Sequence, residues 1–269
     1  NYKAMQFVHV HKDFNKQVGL SVLFLNNGRQ VFEYDVAGDV TDSYIKYSQT
    51  VGGRFSYKKG GYFANLSAYY QFGNEAVVDS IGTKINAHNI GLELGKKVSE
   101  KFTTIVGYER LSGNDQVNGN NKQNAFNPFY GTNHKFNGVM DWFYVGNYAG
   151  SAGLNDIYLK GKFKIKKHSF GADVHGFLGG AAIEDKDELN ATGKSKAASS
   201  YLGTELDVYY ATKLNKAVTV KAGYSQMFMT QTMTYVKGGD KNVTQNWAYL
   251  MLVFKPTLFN HKAKVTSVQ

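Results

Sequence analysis

The chain has no cysteine and only two prolines in 269 residues, and no apolar run near the roughly 18–20 residues that a membrane-crossing helix needs. Without cysteine, disulfides and thiolate metal sites are excluded. Scarce proline leaves long backbone ladders uninterrupted, because proline is the residue that removes a ladder donor. The chain also lacks the G-x-S-x-G, H-E-x-x-H and Walker patterns, whose spacings place nucleophiles, zinc ligands and phosphate cradles. His88 and Ser67 have no evident third partner. Neither enzymatic activity nor a cofactor is expected.

Charge is lopsided but not concentrated. Lys and Arg total 31 against 21 Asp and Glu, a formal +10, yet the nearest thing to a basic run is Lys166, Lys167 and His168. Dispersed charge of this kind argues against nucleic acid and leaves anionic lipid or an acidic solute as partners. His9, His11 and His175 share the parity of the polar faces, but no third ligand stands at a telling spacing, so no metal is expected. The oxygen-rich "GNDQVNGNN" lacks the order of a calcium loop.

What is plentiful is glycine (29), tyrosine (19) and phenylalanine (18), a bias that suits strands and tight turns. Period-two alternation runs through the chain. In "DIYLKGKFKI", Ile157, Leu159, Phe163 and Ile165 oppose Tyr158, Lys160, Lys162 and Lys164. In "YLGTELDVYYATKL", Leu202, Leu206, Val208 and Tyr210 oppose Gly203, Glu205, Asp207 and Tyr209. Eleven strands are predicted, near 2–13, 17–26, 44–58, 61–73, 85–98, 101–113, 154–166, 168–183, 200–214, 217–231 and 246–258. No stretch shows a helical period.

The connections alternate. "FNKQ", "KKGG", "VSEK", "KKH" and "LNKA" are short, whereas 27–43, 74–84, 114–153, 184–199 and 232–245 read as long polar links. Strands of this length with tight turns at one end and long loops at the other fit a transmembrane antiparallel β-barrel of a bacterial outer membrane. Only alternate residues then meet lipid, which accounts for a mean hydropathy of −0.38. The competing all-β reading is a soluble sandwich with one wet face. Eleven strands with the long links outside would start the chain on the outer side, so an odd number of further strands is expected upstream of this single 1–269 barrel domain.

The longest link, 114–153, ends in an aromatic segment, "NAFNPFYGTNHKFNGVMDWFYVGN" at 124–147. It is too apolar for a solvated coil, so it is expected at the rim or in the barrel mouth, although a loop packing only on itself would fit too. "FNPFYGTNHKFNGVMDWFYVGN", a following "GLNDIYLKGKFK" strand and the late "KAGYSQMF" and "NWAYLMLVFKPTLF" resemble the alginate export family of outer-membrane porins. The resemblance covers essentially the whole chain and corresponds to the C-terminal two thirds of the family domain. It implies a barrel of about 18 strands, located in the outer membrane of a Gram-negative bacterium, and a channel for anionic polysaccharide or other small anionic solutes. It also marks Asn127, Pro128, His134, Lys135, Gly138 and Asp141 as the loop's signature residues.

Inward parity selects Lys46, Arg54, Lys97, Lys160, Lys162 and Lys221 as cations that attract an anionic chain. Lys58 and Lys164 share that parity but sit beside the short turns, where headgroups are the expected neighbours. Glu93, Glu109, Asp173, Glu205 and Asp207 are the acidic partners expected to hold those cations in place. For any one of these charges, a cross-strand ladder that merely stiffens the barrel is the competing role. The expected function is passive passage or export of an anionic oligo- or polysaccharide. The alternative is a non-conducting barrel, its pore plugged by the aromatic loop, that serves as a structural or docking subunit beside other outer-membrane or periplasmic proteins.

Overall fold

A computed structural model of the chain describes residues 2–75, 84–132, 136–257 and 259. Within it, eleven strands form one antiparallel sheet in chain order. They are β1 (Tyr2–Asp13), β2 (Val18–Tyr34), β3 (Val40–Lys59), β4 (Tyr62–Asn74), β5 (Lys84–Lys97), β6 (Phe102–Leu111), β7 (Leu154–Ile165), β8 (His168–Gly179), β9 (Tyr201–Lys213), β10 (Val218–Met229) and β11 (Gln245–Phe254). Each strand pairs with its chain neighbours only, so the sheet is an uninterrupted meander, open along β1 and β11.

Side-chain chemistry at the short turns fixes where strands reverse. Asn15 Oδ1 accepts from the backbone N–H of Gln17 and Val18, and Asn215 Oδ1 accepts from Ala217 and Val218 in the same way. Ser99 Oγ receives the N–H groups of Lys101 and Phe102. Such local acceptors offer the backbone an alternative to the ladder and so end it.

Three expectations are corrected. The stretch 27–43 is not a long polar link: β2 and β3 continue through it with Asn27 opposite Ser48 and Arg29 opposite Lys46. Only Asp35–Asp39 turns there, where Asp35 Oδ1 accepts from Ala37 and Asp39. The strand ending near 183 stops at Gly179, and the one ending near 231 stops at Met229. The long links are also not all coil, for α1 (Lys186–Thr192) and α2 (Gln231–Lys237) stand in two of them. Asp185 caps α1 by accepting from Asp187 and Glu188, and these bonds hold its carboxyl below the ordinary range. Thr230 caps α2. Tyr235 of α2 donates to Asp187 at 2.6 Å, joining the two helices.

The two faces of the sheet differ as the alternation demands, except that Leu202, expected with Leu206 and Val208, lies beside the register shift at Phe177 and Leu178 and is buried in the core. One face carries Leu66, Ile90, Leu92, Val106, Ile157, Leu159, Val174 and Val208, all well exposed. Aromatics flank that band: Phe55, Tyr62, Phe102, Phe163 and Phe170 toward the short turns, and Tyr70, Tyr108, Tyr224 and Phe228 toward the long loops. An apolar belt between aromatic girdles matches hydrocarbon bounded by headgroups. No described helix is long and apolar enough to cross a membrane, so any crossing belongs to the strands. The other face holds Asn65, Glu93, Asp156, His175, Glu205 and Asp207.

The buried core lies at the long-loop end of this polar face. There Leu111, Leu154, Phe177, Leu202 and Met227 of the wall pack against Phe126, Phe143 and Tyr148 of the long loop and Met233 of α2. Phe143 meets Phe177 with ring centroids 4.9 Å apart.

If the apolar face meets lipid, Leu159→Arg in mid-β7 lowers stability by about 2–4 kcal/mol in reversible urea unfolding from phospholipid vesicles. A change within about 0.5 kcal/mol, as on an ordinary wet surface, would place that face in water.

Candidate functional site

The connection from β6 to β7 crosses the polar face twice. Leaving β6, it first runs back beside the wall: Phe126 N donates to the Ser112 carbonyl, and Asn114 Nδ2 to Gln123 Oε1. It then reaches across to β4, where Gln71 clasps Asn127 on both sides. Asn127 N donates to Gln71 Oε1 at 2.9 Å, while Gln71 Nε2 donates to the Asn127 carbonyl at 2.7 Å. Pro128 fixes the chain direction just beyond the clasp, and Tyr130 Oη donates to Asn27 Oδ1 of β2 at 2.8 Å.

The return leg is tied to β6, β7 and β9. Asn137 Nδ2 donates to Glu109 Oε2 at 2.9 Å and to Asp156 Oδ2 at 3.1 Å, and Tyr148 Oη donates to Asn137 Oδ1 at 2.7 Å. The N–H groups of Val139 and Met140 both converge on Glu205 Oε1, at 2.7 and 3.0 Å. Gly138 makes that approach possible. Its φ is +83°, and a Cβ there would stand 2.5 Å from the Glu205 carboxylate. Asn137 (φ 53°) and Asp141 (φ 58°) also take left-handed backbone, which Asn and Asp accept more readily than other side chains. One loop thus bonds to the inner face of β2, β4, β6, β7 and β9, so the sheet wraps around it. Lys237 of α2 adds an ammonium 4.8 Å above the Phe143 ring, where burial lowers its pKa to about 8.

Of the signature residues, Asn127, Pro128, Gly138 and Asp141 lie on this double crossing. Pro128 lines an apolar cavity of about 220 Å³ with Leu23, Leu25, Phe126 and Phe129, and Asp141 lines a smaller one with Phe143 and Tyr148. His134 and Lys135 fall outside the described residues.

The six selected cations all project from the polar face but are not gathered at one place. Arg54, Lys160 and Lys162 line one cavity of about 370 Å³ beneath the loop, together with Glu93, Glu109, Asp156, Tyr158 and His175. Lys46 lies toward the long-loop end, its Nζ 5.6 Å from the Tyr44 ring. Lys97 lies at the short-turn end, its N–H bonded to the Gly61 carbonyl. Lys221 stands on β10 opposite Ala211 and Met251.

The five acids have distinct partners. Asp173 stands 3.8 Å from Lys160 and accepts from Tyr209 Oη at 3.3 Å. Glu93 accepts from Asn65 at 3.0 Å, and Glu109 from Asn89 and Asn137. Glu205 carries the loop backbone. Asp207 is 1% exposed, and neither of its carboxylate oxygens has a partner. Beside them Asp156 holds His175 Nδ1 at 2.9 Å, both fully buried. The other two histidines lie apart, with His11 bonded to Ser21 at 2.9 Å. No cluster of three or more His, Cys, Asp or Glu suited to a metal occurs among the described residues.

Sequence reasoning passed over Asn27, Gln71, Asn137 and Asp156. Gln71 and Asp156 are polar residues of inward parity in expected strands, so parity marked them, whereas Asn27 fell in the stretch read as a link. What parity lacks is any sign that a loop 56 residues away in sequence closes on Gln71.

No family model matches the chain, and no curated protein matches it. Among solved structures it is similar to the NanC porin, at 9% identity and a TM-score of 0.41, with 94% of this chain and 99% of that one covered. It is also similar to OmpT, an outer-membrane protein of Vibrio cholerae, at 10% identity and a TM-score of 0.37, covering 93% and 89%. At such values neither solute nor mechanism transfers to this chain.

Proposed function

We propose that the chain is part of an outer-membrane channel for passive passage or export of an anionic oligo- or polysaccharide, of the alginate-export kind that its loop and late strands resemble. The location follows from the apolar, aromatic-bounded face, which suits a bilayer and little else. One observation carries the solute class. The acids at the centre of the wall are sequestered, with Asp156, Glu205 and Asp207 at 1% exposure or less, while Arg54, Lys160 and Lys162 open onto a shared cavity. Glu93 and Glu109 border that cavity too but are partly buried, whereas Arg54 and Lys162 are exposed, so theirs is the field that an incoming solute meets first. Low-dielectric walls strengthen such a field, and arginine adds a fork matched to carboxylates.

The loop narrows the passage, and the double crossing also favours a second reading. A segment bonded to five strands and packed in a core can act as a plug, which makes the protein a structural or docking barrel. Recordings in planar bilayers separate the two: an anion-favouring conductance supports the channel, and a folded barrel that stays electrically silent supports the plug.

For the channel, replacing both Lys160 and Lys162 by Glu moves the reversal potential in a salt gradient toward cation preference. An unchanged potential would remove the pair from the pathway. Gly138→Val sets a side chain against the Glu205 carboxylate in left-handed backbone and weakens the anchor by about 1–3 kcal/mol. Single-channel conductance then rises with more frequent current fluctuations. A trace identical to that of the unaltered protein would mean that the return leg does not border the ion path.

A further inference from the structure

The polar wall carries a repeated arrangement that charge does not explain. Tyr158 of β7 stands directly opposite Gly107 of β6, Tyr209 of β9 opposite Gly171 of β8, and Tyr249 of β11 opposite Gly223 of β10. At each of these glycines an added Cβ would run into the ring of the partner tyrosine. The rings therefore lie flat across the neighbouring strand rather than standing away from the sheet. The same pairing recurs on β4, where Tyr69 covers Gly52 and Phe63 covers Gly95. Glycine in mid-strand weakens a sheet, and a ring laid over it restores contact. That accounts for stability, but it leaves unexplained why rings are used where alanine and valine would fill the wall.

A ring held flat by its own sheet buries one face and offers the other inward, and all three tyrosines are partly exposed. Polar groups border them. Lys160 Nζ lies over the Tyr158 ring, 4.6 Å from its centre, with the His175 ring 5.3 Å away, so a sugar reaches that face as the flexible lysine moves aside. Tyr209 Oη donates to Asp173, the acid paired with Lys160. On one hydrogen-bonded row Lys162, Gly171, Tyr209, Gly223 and Tyr249 follow each other across five strands. Trp247 lies 5.0 Å from Tyr249 and extends the aromatic surface. Flat rings interleaved with ammonium and carboxylate groups match a pyranose ring, which has an apolar C–H face and a rim of hydroxyls. The cavity at Tyr158, about 370 Å³, falls in the roughly 300–1,000 Å³ range of small-molecule sites.

We propose that Tyr158, Tyr209 and Tyr249 form a track on which the pyranose rings of a saccharide stack, with Lys160 and Lys162 engaging the carboxylates of a charged one. This rests on the reading of the chain as a saccharide channel and adds to it a recognition of the sugar ring that is independent of charge.

Calorimetric titration of the detergent-solubilised protein with a mannuronate hexamer and with uncharged mannohexaose tests it. Both bind. Replacing the three tyrosines by Leu, which still covers the glycines but offers no ring face, weakens both by roughly tenfold, as about 0.5 kcal/mol per ring would give. The Tyr→Phe triple stays near the unaltered protein, and Lys162→Gln weakens the charged hexamer more than the uncharged one. If the Leu triple does not fold, judged by heat-modifiable gel mobility, Tyr249→Leu alone carries the test with a loss of two- to threefold. Absence of mannohexaose binding, or equal binding by the Leu variant, overturns the track and confines the rings to a structural role. Conductance of the same preparation is read in parallel. A silent barrel that binds both hexamers refutes the channel and keeps the track, whereas an anion-selective pore blind to mannohexaose does the reverse.

Discussion

A peptide group in hydrocarbon has no water to bond with, so each must find its partner within the protein. The rest of this molecule follows from that demand. It forces strands into continuous neighbour-to-neighbour pairing, and the ladder from β1 to β11 runs in chain order without a crossover. Pairing in turn fixes period two, and one face must then be apolar over the whole width of the sheet. The opposite face is released from that requirement, so it can hold Asp156, His175, Glu205 and Asp207 in a row of neighbouring strands. In a soluble sandwich those positions would form the dry centre.

A wall with polar groups on its inner side must satisfy them in some other way, and the long loop is the means. Its backbone and amide side chains are mostly donors toward the wall: Asn137 toward two carboxylates, and Val139 and Met140 toward a third. Charge-assisted bonds of this kind are about twice as strong as neutral ones. The loop occupies the carboxylates of Glu109, Asp156 and Glu205 without cancelling their charge, and what these bonds supply is its anchoring. Asp207 and the second oxygen of Glu205 are exceptions. These buried oxygens meet no N–H or hydroxyl donor, a cost tolerated beside the two bonds that Glu205 Oε1 accepts.

Much of this was legible in the sequence. All eleven strands follow from alternation, and parity put every selected Lys, Arg, Asp and Glu on the polar face. The stretch 27–43 misled because "NNG" is turn chemistry by local rules. Asn27 is a strand residue here because it pairs with Ser48 and Tyr130 donates to it, contacts supplied by distant chain. The two seven-residue helices are too short to display a 3.6-residue period. They exist because Asp185 and Thr230 cap them and because Met233 is buried against the wall. The grouping of Arg54 with Lys160 and Lys162 depends on how the sheet curls, which no alternation records.

The aromatic density of 124–147 then has a physical reason. A barrel with a wet interior has little core of its own, because most of its apolar residues point outward. A fixed arrangement of polar side chains nevertheless needs packing. Phe126, Phe143 and Tyr148 bring apolar surface from the loop to the few inward apolar positions, Leu111, Leu154, Phe177 and Met227, at the mouth. The core of this protein is thus imported by a connection and placed at one end. Below it the wall stays polar and open, stiffened by rings on glycines instead of by buried bulk.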